Sequence, residues 1–229
     1  MGHERHDYPG LVARGALSND TGRYEAFQRD APLPDTLRTE VRDEVVGRVI
    51  STNTSPDIGF DRSINPYRGC EHGCIYCYAR PTHAWLGLSP GLDFETRLIA
   101  RPNAAAALTR ELAARSYVPK LIAIGTNTDP YQPIERDRKI MRQLLCVLRD
   151  HAHPVGITTK GVMVERDADI LTEMGPELCR VGLSVTTLDD ALARRLEPRV
   201  PVPSRRLKAI ERLANAGVQV RVMGSPGIP

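Results

Sequence analysis

No run of about 18 apolar residues occurs in the 229-residue sequence, which excludes a hydrophobic helix long enough to cross a bilayer. The amino terminus, Met1-Gly2-His3-Glu4-Arg5-His6-Asp7, lacks the apolar core of a secretory leader. An even set of spaced cysteines is missing too. Of five cysteines, three are clustered, while Cys146 and Cys179 stand alone in apolar contexts and read as small buried hydrophobes. That usage argues against a disulfide framework and for a reducing compartment, so a cytoplasmic protein without a membrane partner is expected. Net charge is only +3, too small by itself to establish a nucleic-acid partner. A hydrophobic content of 41% and a charged content of 26% are those of a globular chain of one domain, or one domain with a tail.

Residues 1–55 are polar and rich in glycine and proline, and read as an extended or disordered lead-in; only Val41–Ile50 suggests a short strand. After Ser63 the pattern changes. Apolar, β-branched runs of strand length (Ser63–Tyr67, Leu121–Gly125, Val155–Thr159, Val181–Val185, Val218–Val222) alternate with helical stretches at Ala104–Arg115, Arg136–Asp150, Asp167–Met174, Leu188–Leu196 and Arg205–Ala216. In Arg136–Asp150 the residues Ile140, Met141, Leu144, Leu145 and Leu148 fall on one face. Ser204 after Pro203 suggests an N-cap, and Gly217 a C-terminal stop. Strands separated by single helices predict βαβ crossovers and a parallel sheet. Five such units fall short of the eight that close a barrel, so an α/β partial barrel is expected over 56–229.

The densest chemistry lies in eight residues, Cys70-Glu71-His72-Gly73-Cys74-Ile75-Tyr76-Cys77. Three thiolates at that spacing, on a loop carrying glycine, can bind three irons of a cubane cluster and leave the fourth without a protein ligand. An open metal position argues for an enzyme. Two other readings stay open: a structural zinc site completed by His72 or His83, and a redox pair of Cys74 and Cys77 that leaves Cys70 unexplained. Covalent haem is excluded, since Tyr78 rather than histidine follows Cys77.

In parallel α/β sheets the site lies beyond the carboxyl ends of the strands. There the sequence places the cysteine loop, then Thr126-Asn127-Thr128-Asp129, then Thr158-Thr159-Lys160-Gly161, then Ser184-Val185-Thr186-Thr187. Hydroxyls, an amide, a carboxylate and a lysine suit a polar ligand bearing a carboxylate, an amine and ribose hydroxyls. For Thr187, three residues before Asp190, a plain helix cap is the favoured reading.

The motif Cys-x3-Cys-x-aromatic-Cys, together with Asn65-Pro66-Tyr67-Arg68-Gly69, Gly91-Leu92-Asp93-Phe94-Glu95, Gly125–Pro133, Thr158–Gly161 and Ser184–Asp189, resembles the radical S-adenosylmethionine (radical SAM) enzymes, nearest the branch of spore photoproduct lyase. The resemblance runs from about residue 50 onward and implies a 4Fe–4S cluster and S-adenosylmethionine as cofactors. It implies reductive cleavage to a 5′-deoxyadenosyl radical that abstracts a hydrogen, and an electron donor of the flavodoxin or ferredoxin type. Cys70, Cys74 and Cys77 would be the iron ligands. Tyr76 would lie against the adenine, Asn127 and Thr128 at the methionyl end, Lys160 at its carboxylate and Ser184 near the ribose, with Asp129 a further cofactor-binding candidate. The substrate-radical residues are not implied. Two departures stand out: Gly125-Thr126-Asn127-Thr128-Asp129 replaces the Gly-Gly-Glu-like segment of many members, and the family core continues past a fifth strand. A chain shortened at its carboxyl end is thus expected, with a cluster-binding, catalytically silent remnant as the alternative reading. The run Arg194–Arg212 carries seven cations against Glu197 and Glu211; a nucleic-acid contact is conceivable by analogy, and a solvated helix face is favoured.

Overall fold

The computed structural model describes residues 15–16, 38–224 and 226–227. Among them are nine strands: β1 (Glu40–Asp43), β2 (Ser51–Thr52), β3 (Arg62–Ile64), β4 (Tyr67–Arg68), β5 (Arg97–Ala100), β6 (Ile122–Ile124), β7 (Val155–Thr159), β8 (Cys179–Ser184) and β9 (Val220–Met223). The helices are α1 (Leu92–Thr96), α2 (Ala104–Leu112), α3 (Glu135–Arg138), α4 (Ile140–Asp150), α5 (Ala168–Leu178), α6 (Asp190–Leu196) and α7 (Pro203–Asn215). Six strands form one open sheet in the order β2-β3-β6-β7-β8-β9, with every pairing parallel except β2 with β3. The five expected strands are therefore neighbours in chain order, as in a partial (β/α) barrel, and the barrel is not closed.

Alternation along the strands sorts the two faces. Ile122, Ile124, Val155, Ile157, Val181 and Leu183 meet the helical layer, where the predicted stripe of α4 (Ile140, Met141, Leu144, Leu145, Leu148) is buried to the last residue. Fully burying each such side chain contributes about 1.5–3 kcal/mol, so this layer dominates the stability of the sheet. Ala123, Gly156, Thr158, Gly182 and Ser184 occupy the other face, in register across β6, β7 and β8. Small residues there leave the concave side roomy.

A second sheet, β1-β5-β4, was not legible in the sequence. The run Ser63–Tyr67, expected as one strand, is split at Asn65-Pro66 between the two sheets, since proline has no N–H for a ladder. Residues 38–55, grouped by composition with the lead-in, carry β1 and β2, and Val49 and Ile50 donate main-chain N–H groups to Glu111 Oε1 at 2.5 and 3.3 Å. Apart from 15–16, residues before 38 lie outside those described.

Helix ends differ from the sequence expectation in three places. Arg136–Asp150 breaks at Lys139, whose φ of 51° is left-handed; Glu135 Oε2 accepts the Met141 N–H at 3.1 Å and so caps α4. The cap of α6 is Asp189, which accepts from Ala191 and Leu192, whereas Thr187 accepts only from the Asp189 N–H. Helix α7 starts at Pro203 after Val202, and Ser204 bonds Asp190 instead of capping. Gly217, at φ 85°, does end α7. Cys179 is buried and Cys146 packs against the core, as expected of small hydrophobes.

Candidate cluster and cofactor site

The cysteine loop leaves β4 and is tied down along its whole length by main chain. Cys70 N–H donates to Phe94 O at 2.9 Å, Ile75 N–H to Leu196 O at 3.0 Å, and Arg199 N–H to His72 O at 3.2 Å. Gln132, fully buried, brackets the start of the loop: its Oε1 accepts the Glu71 N–H at 3.0 Å and its Nε2 donates to Gly69 O at 3.1 Å. Arg80 closes the other end by donating Nε and Nη2 to Cys74 O at 3.2 and 3.0 Å. Gly73 has a φ of 68°, and a Cβ there would stand 2.9 Å from Glu95 Oε2, so both conformation and space require glycine.

The three thiols of this loop are free and close enough to affect one another. Burial pushes Cys70 well above the ordinary thiol range, with Asp129 and Cys74 adding to the rise. Cys74 is pushed up to about 12, again mainly by burial, although Lys160 pulls against it. Cys77 is raised by burial in the same way. Three thiolates in such a pocket need positive charge beside them, and a coordinated metal supplies it by deprotonating its ligands outright. Among the described residues, no three His, Cys, Asp or Glu side chains converge on a point that one ion could occupy. A cubane gives each thiolate its own iron, and three free thiols on one loop fit that donor set. Both histidines of the zinc alternative are turned elsewhere: His72 Nδ1 lies 3.3 Å from Asp129 Oδ2, and His83 Nε2 lies 2.9 Å from Arg97 O.

The strand ends bring the remaining candidates toward this loop, but in different roles. Lys160 reaches it: Nζ lies 5.7 Å from the centre of the Tyr76 ring. Tyr76 O–H donates to Glu197 Oε1, and burial followed by that bond holds its hydroxyl well above the usual tyrosine range. Ser184 sits buried at the end of β8. Asn127 lines a cavity of about 230 Å³ with Asn65, Tyr67, Arg68, Thr82, Trp85 and Arg101, and its N–H donates to Asn65 Oδ1 at 3.1 Å. Thr128 has its hydroxyl committed to Tyr67 O at 2.8 Å.

Asp129 is a hub. It accepts from Tyr131 N–H at 2.8 Å, Thr159 Oγ1 at 2.6 Å and Lys160 N–H at 2.7 Å, besides facing His72. Burial alone would raise its carboxyl, but His72 and these hydrogen bonds outweigh burial and hold it down to about 2. Both carboxylate oxygens thus serve to lock the ends of β6 and β7 to the cysteine loop. Gly125, at φ 87°, makes the turn out of β6, where a Cβ would meet Thr158 O at 2.0 Å.

Much of the basic run is a solvated face, as favoured: Arg194, Arg195, Lys208 and Arg212 are exposed, while the rest turns inward. Arg206 is completely buried, donating Nη2 to Glu197 Oε2 and Nη1 to Ser184 O, both at 2.6 Å. Arg199 pairs with Glu71 at 3.3 Å, and Arg205 and Arg212 with Glu165. Arg199 and Arg206 thus brace the cysteine loop and the end of β8, and Arg205 braces the Val162–Asp167 turn. The roles of Glu197, Arg206, Arg80, Glu95 and Gln132 were not read from the sequence; Glu95 and Gln132 lie within the motif segments, but local spacing does not show which distant groups they bond.

The model of the Radical SAM superfamily matches residues 64–229. This chain belongs to the radical SAM superfamily. An uncharacterized protein of Mycobacterium tuberculosis is 38% identical over 171 residues, 74% of this radical SAM chain and 50% of that protein. An uncharacterized protein of Methanocaldococcus jannaschii is 28% identical over 166 residues, 72% of this chain and 60% of that one. The radical SAM chain thus spans about half the length of the first of these relatives. Among solved structures, spore photoproduct lyase complexed with dinucleoside spore photoproduct superposes with a TM-score of 0.60 at 18% identity, over 81% of this chain and 51% of that one. That likeness concerns the fold. Among the described residues no helix is long and apolar enough to cross a membrane.

Proposed function

We propose that this radical SAM protein is an enzyme that holds a 4Fe–4S cluster on Cys70, Cys74 and Cys77 and binds S-adenosylmethionine beside it. The observation that carries the reading is the set of three free, clustered thiols on a rigid loop at the carboxyl ends of a parallel sheet, faced by Lys160. When bound, the reduced cluster supplies the electron that breaks a sulfur–carbon bond of S-adenosylmethionine, yielding the 5′-deoxyadenosyl radical for hydrogen abstraction. The chain's own residues place and shield the cofactor. Lys160 offers an ammonium to the methionyl carboxylate, and Tyr76, fixed by Glu197, offers a ring to the adenine. Ser184 and Asn127 serve as polar neighbours of the ribose and methionyl groups, while Thr128, bonded to Tyr67 O, and Asp129, bonded to the Lys160 N–H and facing His72, act on the frame of the site rather than on the ligand. A one-electron donor of the flavodoxin or ferredoxin type is needed to reduce the cluster. For substrate, the fold likeness makes a dinucleoside lesion the first compound to assay.

Anaerobic reconstitution with iron and sulfide, followed by reduction with dithionite and assay for 5′-deoxyadenosine, tests the proposal. A brown protein that forms 5′-deoxyadenosine is the expected result. Stoichiometric zinc in place of iron, in a well-folded protein, refutes it; a brown protein that leaves S-adenosylmethionine intact refutes the catalytic half.

A further inference from the structure

Glu95 lies fully buried on α1, directly beneath the cysteine loop. Its Oε1 accepts from Arg80 Nη2 at 2.6 Å and from the Ala16 N–H at 2.9 Å, and its Oε2 accepts the Gly15 N–H at 3.0 Å. Arg80 in turn grips the carbonyl of Cys74. A continuous path thus joins Gly15 and Ala16, 80 and 79 residues from Glu95 in sequence, to the middle cysteine. At the same point Gly15 crosses Gly73, main chain against main chain. A Cβ on Gly15 would stand 1.6 Å from Gly73 O, and a Cβ on Gly73 would stand 3.1 Å from the Gly15 nitrogen. Neither chain could approach so closely with a side chain in the way.

We propose that Gly15 and Ala16 form a strap across the cysteine loop, positioning residues that hold Cys74 for iron by way of Glu95 and Arg80. The proposal rests on the reading of this loop as a cluster site. Its physical basis is the buried carboxylate. Hydrogen bonds from N–H groups to a buried charge are the strong ones, and Glu95 gathers two of them together with a guanidinium. Without the two main-chain donors, Glu95 would draw Arg80 further onto itself and away from Cys74 O. The loop would then lose the contact that fixes its central ligand. The lead-in read from composition as unstructured therefore contributes two residues to the site.

The test uses the full chain and two variants. Gly15→Val blocks the crossing with Gly73, and Ala16→Pro removes one N–H donor without adding bulk at Gly15. In the metal-free protein, amide hydrogen exchange reads the strap directly: Gly15 and Ala16 should exchange at least about tenfold slower than unprotected amides, and Gly15→Val should abolish that protection. In reconstituted protein, iron release to a chelator, followed by loss of the visible band, should be at least about tenfold faster in both variants while the urea midpoint stays put. Cys146→Ala, on the far side of the core, should release iron at the wild-type rate. Unprotected amides in the wild type, or wild-type iron release in both variants, overturns the strap. Should the wild type take up no iron, the cluster reading fails on its own, and the exchange data still decide the strap.

Discussion

Arg206→Met probes the one ion pair among the described residues whose two side chains are both completely buried, Arg206 with Glu197. Methionine fills much of the arginine's volume, so the change isolates charge and hydrogen bonding from packing. In the wild type Glu197 receives Arg206 Nη2 at 2.6 Å, Thr186 Oγ1 at 3.2 Å and the Tyr76 hydroxyl. After substitution the carboxylate stays buried with two neutral donors and no cation, and Ser184 O loses its partner as well. Breaking a buried pair from one side costs about 3–5 kcal/mol, because the remaining charge is uncompensated. Against a domain stability on the order of 5–15 kcal/mol, that is a large share. Urea unfolding of the metal-free protein, followed by far-ultraviolet circular dichroism, should report the loss as a lower midpoint at unchanged slope. Arg206→Met/Glu197→Gln removes the orphaned charge and should recover about half or more of the loss. A single variant within about 1 kcal/mol of wild type, or a double variant no better than the single one, refutes the argument that the pair's charge balance holds Glu197 under Tyr76.

Two further outcomes follow from the same geometry. Cys70→Ala, Cys74→Ala and Cys77→Ala should each abolish the visible band after reconstitution, while Cys146→Ala should keep it; full iron content in Cys74→Ala protein would contradict the ligand assignment. Asp129, held down to about 2 in the fold against 3.8 for a free carboxyl, contributes stability that is present above about pH 4 and lost as pH falls toward 2. The full contribution is about 2 kcal/mol, of which about 1 kcal/mol should be gone by about pH 3. Between about pH 6 and pH 3 the wild type should accordingly lose about 1 kcal/mol more than Asp129→Asn in urea unfolding, and equal acid sensitivity of the two proteins would remove the assigned role of that carboxylate.

Local sequence carried much of this protein. Apolar periodicity located five parallel strands and the buried face of α4, because one face of each element must leave water whatever its neighbours are. Thiol spacing located the loop, since three cysteines within eight residues need no distant partner to be recognised. What chain order could not supply was which distant groups meet. The split of Ser63–Tyr67 between two sheets follows from the pairing of β4 with β5, and β1 exists only because β5 lies beside it. Arg206 looks like a surface cation in sequence and is buried in space, since its charge is balanced by Glu197 across a turn of chain. Gly15 carries no local mark, and Glu95, though within the Gly91–Glu95 segment, carries none that points to Gly15. Their meeting beneath Cys74 is a matter of long-range packing, where a buried carboxylate must find donors and two glycines are the only residues thin enough to let the chains cross.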